Sequence, residues 1–349
     1  MTSAWVVRAG SSGEHEQWNL DNGRATIGWR DVGDLSNCSS REQVRAVVAA
    51  TYPGYSPNRV GNNAGQLWAF RQSIRPGDLV VMPLHIQRGY LALGRCVGPY
   101  GYDPSAQQDR RHFIPVEWRL EAVARTAIKD DLLASLNGLM TVFSPSKNNA
   151  AARLAAVLAQ GADPGSGGAP MKSQVQPDTG AGDVTDPAPV PSLEAIRDRV
   201  RTHVVENFGG HKLTHLVADV LTALGYVCEV SPPGPDGGID IRAGRGPLGL
   251  DAPTIVEVKS ELGPVGVQVM RGLHSAVTKN NAQHGLLVAM GGINTAARKE
   301  FETLRAVIQV WDAEVLLDKL FDTYPRLSDT ARAALPLKQA WVLDDESGE

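Results

Sequence analysis

Residues 232–244 read PPGPDGGIDIRAG and residues 254–260 read TIVEVKS, and the fold turns on how these two runs meet. In the second run, strand alternation puts Ile255, Glu257 and Lys259 on one face and Val256 and Val258 on the other. Asp240 lies in the short apolar run around Ile239 and Ile241, and a hairpin-like return would bring it beside Glu257. Two carboxylates converging next to one ammonium suit metal-assisted phosphodiester hydrolysis. The carboxylates hold Mg²⁺ against a scissile phosphate, the metal lowers the pKa of a bound water, and the lysine orients that water or stabilises developing charge. Taken alone, Glu-x-Lys is a common solvated strand pair and Asp-Gly-Gly a common turn. Their order along the chain gives them meaning.

That order is α/β. Leu213, Leu216, Val217, Val220, Leu221 and Leu224 recur at helical spacing, with Gly225 where a C-terminal cap belongs. A strand over 226–230, the Pro/Gly turn, a strand around 239–241 and the strand 254–259 follow. The spacing then predicts a helix over 265–279, a strand over 285–290, a helix over 294–304, a strand over 307–310 and a helix capped by Asp312.

The stretch from Leu213 to about Leu304 resembles the catalytic domain of Mrr-type restriction endonucleases, a branch of the PD-(D/E)xK nuclease fold. The matching features are LTHLVADVLTALGY, PDGGIDI, VEVKS and GLLVAMGGINTAARKEF. The resemblance implies a central mixed sheet flanked by helices and a Mg²⁺ cofactor. By it, Asp240 and Glu257 are the metal ligands together with the Val258 carbonyl, and Lys259 is the catalytic lysine. Many members carry Gln where this chain has Glu257, and many have a Glu in the first helix where this chain has Thr214. Asp219 and Asp236 are alternatives for a third acid, Asp236 reading better as a turn former. His211 and His215, four apart, lack a third metal ligand and read as surface residues, with His215 in reach of a DNA phosphate. Arg298 and Lys299 follow Gly291-Gly292 at a helix start, where an anion is favoured; phosphate contact and solvated face are equally good readings. No phosphate-cradling Gly-x-x-x-x-Gly-Lys-Ser/Thr loop is present, which argues against a nucleotide-driven translocase.

The first part of the chain opens with Trp5-Val6-Val7 and a long polar loop reaching Ile27-Gly28-Trp29. Helical patterns over 41–51 and 64–74 precede strand-like runs at 79–84, 90–97 and 112–120, suggesting a small β-barrel with helical insertions. Five of the seven tryptophans are here, namely Trp5, Trp18, Trp29, Trp68 and Trp118. Trp29 lies in an irregular polar loop, an arrangement that suits stacking on a flipped base while Asp, Ser or Asn reads its edge. The run IGWRDVGDLS, with GQLWAF, RPGDLVVMP and ALGRCVGPY, is similar to the PUA-like superfamily, nearest its EVE-type or YTH-like members. That likeness implies a modified-base reader with Trp29 and Trp68 as aromatic walls and Asp34 as a base-edge contact. A core role for Trp68, between Leu67 and Phe70, is nearly as good a reading.

Composition sets the frame. The 349 residues are 21% charged and 42% hydrophobic, as in soluble globular proteins. No apolar run reaches membrane-spanning length, and the N-terminus lacks a signal-peptide pattern. Cys38, Cys96 and Cys228 are few and far apart, fitting a reducing cytoplasm. Net charge is −4, but residues 1–160 hold 17 Lys+Arg against 13 Asp+Glu, and residues 193–349 hold 16 against 21. The positive excess belongs to the candidate reader, as phosphate contact demands. Residues 161–192, with six Gly, six Pro and no aromatic, read as a flexible linker.

The expected organisation is therefore a PUA-like α+β barrel over 1–160, the linker over 161–192, and an α/β endonuclease domain over 193–349. The function this implies is modification-dependent (type IV-like) cleavage of double-stranded DNA, with a homodimer cutting both strands. Two alternatives stand beside it: a nuclease switched on when the first domain senses a small nucleotide or RNA, and a catalytically silent DNA-binding protein.

Overall fold

The computed structural model describes residues 2–10, 13–138, 140–165, 184–187, 193–232 and 239–341. They form two compact units, divided between Ala195 and Ile196.

The first unit runs β1 (Ala4–Val7), α1 (Glu16–Asn22), β2 (Arg24–Ile27), α2 (Arg41–Thr51), α3 (Pro57–Trp68), β3 (Leu79–Leu84), β4 (Tyr90–Cys96), β5 (Gly101–Tyr102), β6 (His112–Trp118), β7 (Val123–Ala124), α4 (Asp130–Leu136), β8 (Val142–Phe143) and α5 (Ala150–Gln160). Its sheet follows the order β2-β6-β4-β3-β1-β8, with β5 beside β6 and β7 beside β4. Only β1–β3 is parallel among these pairs. Where a barrel was expected, the sheet is a curled half-barrel, because β2 and β8 at its ends do not pair with each other among the described residues.

Three local differences from the sequence pattern have simple causes. α1 and β2 occupy what reads as polar loop; Gly23, at φ +60, closes α1 by donating its N–H to Asn19 O, a backbone shape that favours glycine. α3 starts at Pro57 rather than near residue 64, because the Ser56 side chain caps Arg59 N–H and Pro57 fits the first helical position. It ends in a π-helical turn, Ala69–Ser73.

Most of segment 161–192 lies outside the described residues, but its described parts are anchored on the first unit. Asp163 accepts from Lys129 N (2.9 Å) and Gly165 N (2.9 Å) and pairs with Arg153 at 2.7 Å. Val184 is buried in the first core, Thr185 bridges Ser144, and the Asp186 carboxylate takes Ser146 N–H at 2.8 Å. These contacts hold residues 184–187 against the first unit, within the segment that reads from the sequence as a flexible linker.

The second unit begins inside α6 (Leu193–Asn207), at Ile196, and continues through α7 (His211–Ala223), β9 (Val227–Val230), β10 (Ile241–Arg245), β11 (Asp251–Lys259), α8 (Val267–Lys279), β12 (His284–Ala289), α9 (Thr295–Leu304), β13 (Ile308–Trp311), α10 (Ala313–Thr323) and α11 (Asp329–Ala334). Its mixed sheet has the order β13-β12-β11-β10-β9, antiparallel from β9 to β11 and parallel from β11 to β13. Val256 on β11 belongs to the same buried cluster as Val217 and Leu221 of α7 and Leu316 of α10, while Ile255 belongs to the cluster of Met270, Leu273 and Val277 of α8. Each such side chain contributes about 1.5–3 kcal/mol on burial, so β11 is gripped on both faces. α6 is fastened to α10 by ions: Arg201 pairs with Asp198 and Glu314, and Arg197 reaches Glu314 (2.8 Å) and Asp318 (2.9 Å). Among the described residues no helix is long and apolar enough to cross a membrane.

Candidate active site

β10 and β11 pair with Ile241 opposite Val256. One step further the register sets Asp240 opposite Glu257, as the hairpin expectation required, and Asp240 N–H donates to Val256 O at 2.9 Å. Ladder pairing stops there, and the Asp240 side chain takes over: its Oδ2 accepts Val258 N–H at 2.7 Å. A strand residue points its N–H and C=O the same way, so the Val258 carbonyl is directed toward the Asp240 side of β11. Glu257 and Lys259 project together, with Nζ 2.9 Å from Oε1; the Glu257 side chain is 8% exposed and that of Lys259 31%. Burial alone would lower the Lys259 pKa. The hydrogen bond from its ammonium to Glu257, with the charges of Glu257, Asp240 and Glu261, outweighs this and raises it above the ordinary lysine value.

Asp240, Glu257 and Val258 thus lie at one end of β11, and a metal held by them would meet oxygen donors alone. Hard oxygen ligands with one or two carboxylates match Mg²⁺, which fills its remaining positions with water and substrate phosphate. Among the described residues no third acid, His or Cys joins them in a metal-competent group. Thr214 is buried on α7, and Asp236 lies outside the described residues.

The surroundings favour an anion. Gly210, just before α7, donates its N–H to Ser260 Oγ at 3.1 Å, which ties the start of that helix to the end of β11. Val265 and Ile293 form a parallel bridge, so α8 and α9 start side by side; Val265 N–H reaches Gly292 O (2.8 Å) and Asn294 N–H reaches Val265 O (3.0 Å). Lys259 O meanwhile accepts Met290 N–H at 3.0 Å. Three helix N-termini, with their partial positive charge, therefore border the carboxyl ends of β11 and β12. His211 and His215 stack edge-to-face at 4.6 Å on α7 in this neighbourhood. Ser260 and Glu261 join this end of the strand as well, and their position directly after Lys259 is the sequence signal for them.

In the first unit the three candidate base contacts differ. Trp29 is half-buried in the loop after β2 and holds φ +45, the left-handed region that side-chain-bearing residues seldom adopt. Asp34 is exposed, and its Oδ1 accepts Ser36 N–H at 2.8 Å. Trp68 is 9% exposed and belongs to the core cluster, with the Arg71 guanidinium 5.6 Å from its ring. The core reading of Trp68 is the one its burial supports.

The mixed sheet and its flanking helices are consistent with a nuclease-like α/β domain, and the family comparison agrees. Residues 205–320 match a family model described as restriction endonuclease, so this part of the chain is a restriction endonuclease catalytic domain. Residues 5–140 match a model described as a domain of unknown function. No curated protein matches the chain. Solved structures similar to it include the MspJI restriction endonuclease in complex with a 27-mer oligonucleotide (12% identity, 95% of this chain and 79% of that chain, TM-score 0.33). Others are the DNA modification-dependent restriction endonuclease AspBHI (18%, 91% and 80%, 0.31) and AF1548, a protein of unknown function (17%, 36% and 78%, 0.27).

Proposed function

We propose that the protein is a modification-dependent (type IV-like) restriction endonuclease, in which the first unit binds a modified base in double-stranded DNA and the second hydrolyses a phosphodiester bond. The observation that carries the reading is the meeting of Asp240, Glu257 and Lys259 at the end of β11, inside the restriction endonuclease domain. Asp240, Glu257 and the Val258 carbonyl are assigned as Mg²⁺ ligands. Bound there, Mg²⁺ would lower the pKa of a water and draw charge from the phosphate. Lys259, kept protonated by its acidic neighbours, orients the attacking water and stabilises negative charge as the bond breaks. The bordering helix N-termini and the first-turn side chains His211 and Lys212 favour the phosphate backbone. Each chain carries one such set, and a duplex has two strands, so double-strand cutting uses two copies.

Base recognition is assigned to the loop holding Trp29 and Asp34. The net positive charge of residues 1–160 supports it, as does an exposed carboxylate five residues from a half-exposed indole. The test is to incubate the protein and a Lys259→Ala variant with modified and unmodified duplexes plus Mg²⁺. Cutting of modified DNA by the native chain alone is expected. Equal cutting by both proteins overturns the catalytic assignment, and equal cutting of both duplexes overturns the modification requirement.

A further inference from the structure

The loop from Gly28 to Ser36 is held by three hydrogen-bonding side chains, one of them fully buried, that an ordinary surface connection does without. His112, on β6, is 0% exposed, and its Nε2 lies 3.0 Å from Val32 O. A carbonyl only accepts, so Nε2 carries the proton and Nδ1 is bare. Nδ1 then accepts the Tyr100 hydroxyl at 2.8 Å, and the Tyr100 oxygen receives Leu35 N–H at 3.4 Å. Burial pushes the His112 pKa down and the Tyr100 pKa up, which keeps both neutral and preserves this one-way chain. From the other side Arg71 donates Nε–H to Leu35 O (3.3 Å) and Nη2–H to Ser36 O (2.8 Å). Arg71 is on the π-helical turn that ends α3, an irregularity frequent at functional sites.

Four main-chain groups of one loop, Val32 O, Leu35 N, Leu35 O and Ser36 O, are thus fixed by three side chains from elsewhere in the unit. Water could satisfy such groups at a surface, while burying an imidazole and a phenol hydroxyl is costly unless each is paired. At the start of the same loop Trp29 holds its left-handed backbone, at a cost of order 1 kcal/mol or more. Yet the loop's own polar side chains, Arg30, Asp31, Asp34 and Ser36, stay exposed. Rigid backbone beneath exposed polar side chains is the pattern of a preorganised recognition element.

We infer that Arg71, Tyr100 and His112 are positioning residues that fix the 28–36 loop in the one shape that presents Trp29 and Asp34 to a nucleobase. They act through the loop and do not touch the base. This rests on the reader assignment above. The experiment measures full-chain affinity, in metal-free buffer, for duplexes bearing 5-methylcytosine, 5-hydroxymethylcytosine or N6-methyladenine, each against the same unmodified duplex. Tyr100→Phe removes only the relay hydroxyl, and Arg71→Gln removes the second clamp at a partly exposed position. Each variant should lose about fivefold of the preference for the modified duplex, with unmodified-duplex affinity unchanged at a temperature below the Tm of every variant. A native chain with no preference for any modified duplex overturns the reader assignment itself. A native preference that both variants retain within twofold overturns the positioning role and leaves the reader standing. Parallel loss of Tm and of both affinities in both variants also overturns it, since support of the fold alone gives that result.

Discussion

Glu257 Oε1 and Lys259 Nζ lie 2.9 Å apart at the end of the central strand of a mixed sheet, two residues apart and on one face. Lys259→Met keeps the length of the stem and removes the charge. Cutting of modified DNA in Mg²⁺ should fall by a factor of about 100 or more, the scale of losing one preorganised electrostatic contact. Binding of the same duplex in metal-free buffer should be retained, and comparison of cleavage and gel-shift assays checks both outcomes.

Asp240 does two jobs that substitution can separate. Its Oδ2 accepts Val258 N–H, and its charge is assigned to the metal. Asp240→Asn keeps an acceptor oxygen and should abolish cutting with little change in Tm. Asp240→Ala should abolish cutting and also destabilise the domain by about 1–3 kcal/mol, because Val258 N–H loses its acceptor. Equal Tm values for the two variants would show that the hydrogen bond does not support the strand end.

The second unit was readable because its elements announce themselves locally. α7, α8, β12 and α9 have unbroken apolar spacing, and Asp312 caps α10 through Glu314 N and Val315 N as the sequence suggests. Strand alternation correctly placed Glu257 and Lys259 together. What the sequence hid depends on distant partners. α6 has a weak apolar stripe and reads as a helix only once Arg197 and Arg201 meet Glu314, more than a hundred residues away. In the first unit, the half-barrel follows from pairings such as β1 with β3 and β1 with β8, which no local pattern encodes. Trp29 was legible as an irregular loop aromatic, whereas the residues fixing its loop, His112 and Tyr100, come from over sixty residues downstream.

Glu314 is buried against Arg201 and Arg197. Burial alone would raise its pKa, but the two guanidinium charges outweigh this and hold it below the ordinary value of 4.5. A depressed carboxylate contributes stability that is present above its unfolded pKa and lost as pH falls through the folded one. Glu314→Gln should therefore destabilise the second unit by about 1–3 kcal/mol at neutral pH, because Arg201 and Arg197 are left with Asp198 and Asp318 as their carboxylate partners. The gap between native and variant Tm should narrow steadily as pH falls below the ordinary carboxylate range. The same contacts predict that a fragment beginning at residue 205, where the family match starts, loses Arg197 and Arg201 and melts well below one beginning at 193.

Gly291 lies where two loops meet behind the site. A Cβ there would come 2.3 Å from Gly263 O and 2.6 Å from Leu262 C, both backbone atoms that cannot swing away. Segment 260–263 follows directly on Lys259, and Met290 N–H bonds to Lys259 O, so this contact sets where the strand end lies. Gly291→Ala should push the two loops apart, lowering Tm and slowing cutting of modified DNA by about tenfold or more, the scale expected from misplacing a catalytic group by a fraction of an ångström. The control is Gly272→Ala, in the exposed middle of α8 with nothing within 4 Å of its Cβ. There alanine should add about 0.5–1 kcal/mol of stability and leave cutting unchanged. Equal behaviour of the two variants in thermal melts and cleavage time courses would show that the close approach at Gly291 does not hold the site.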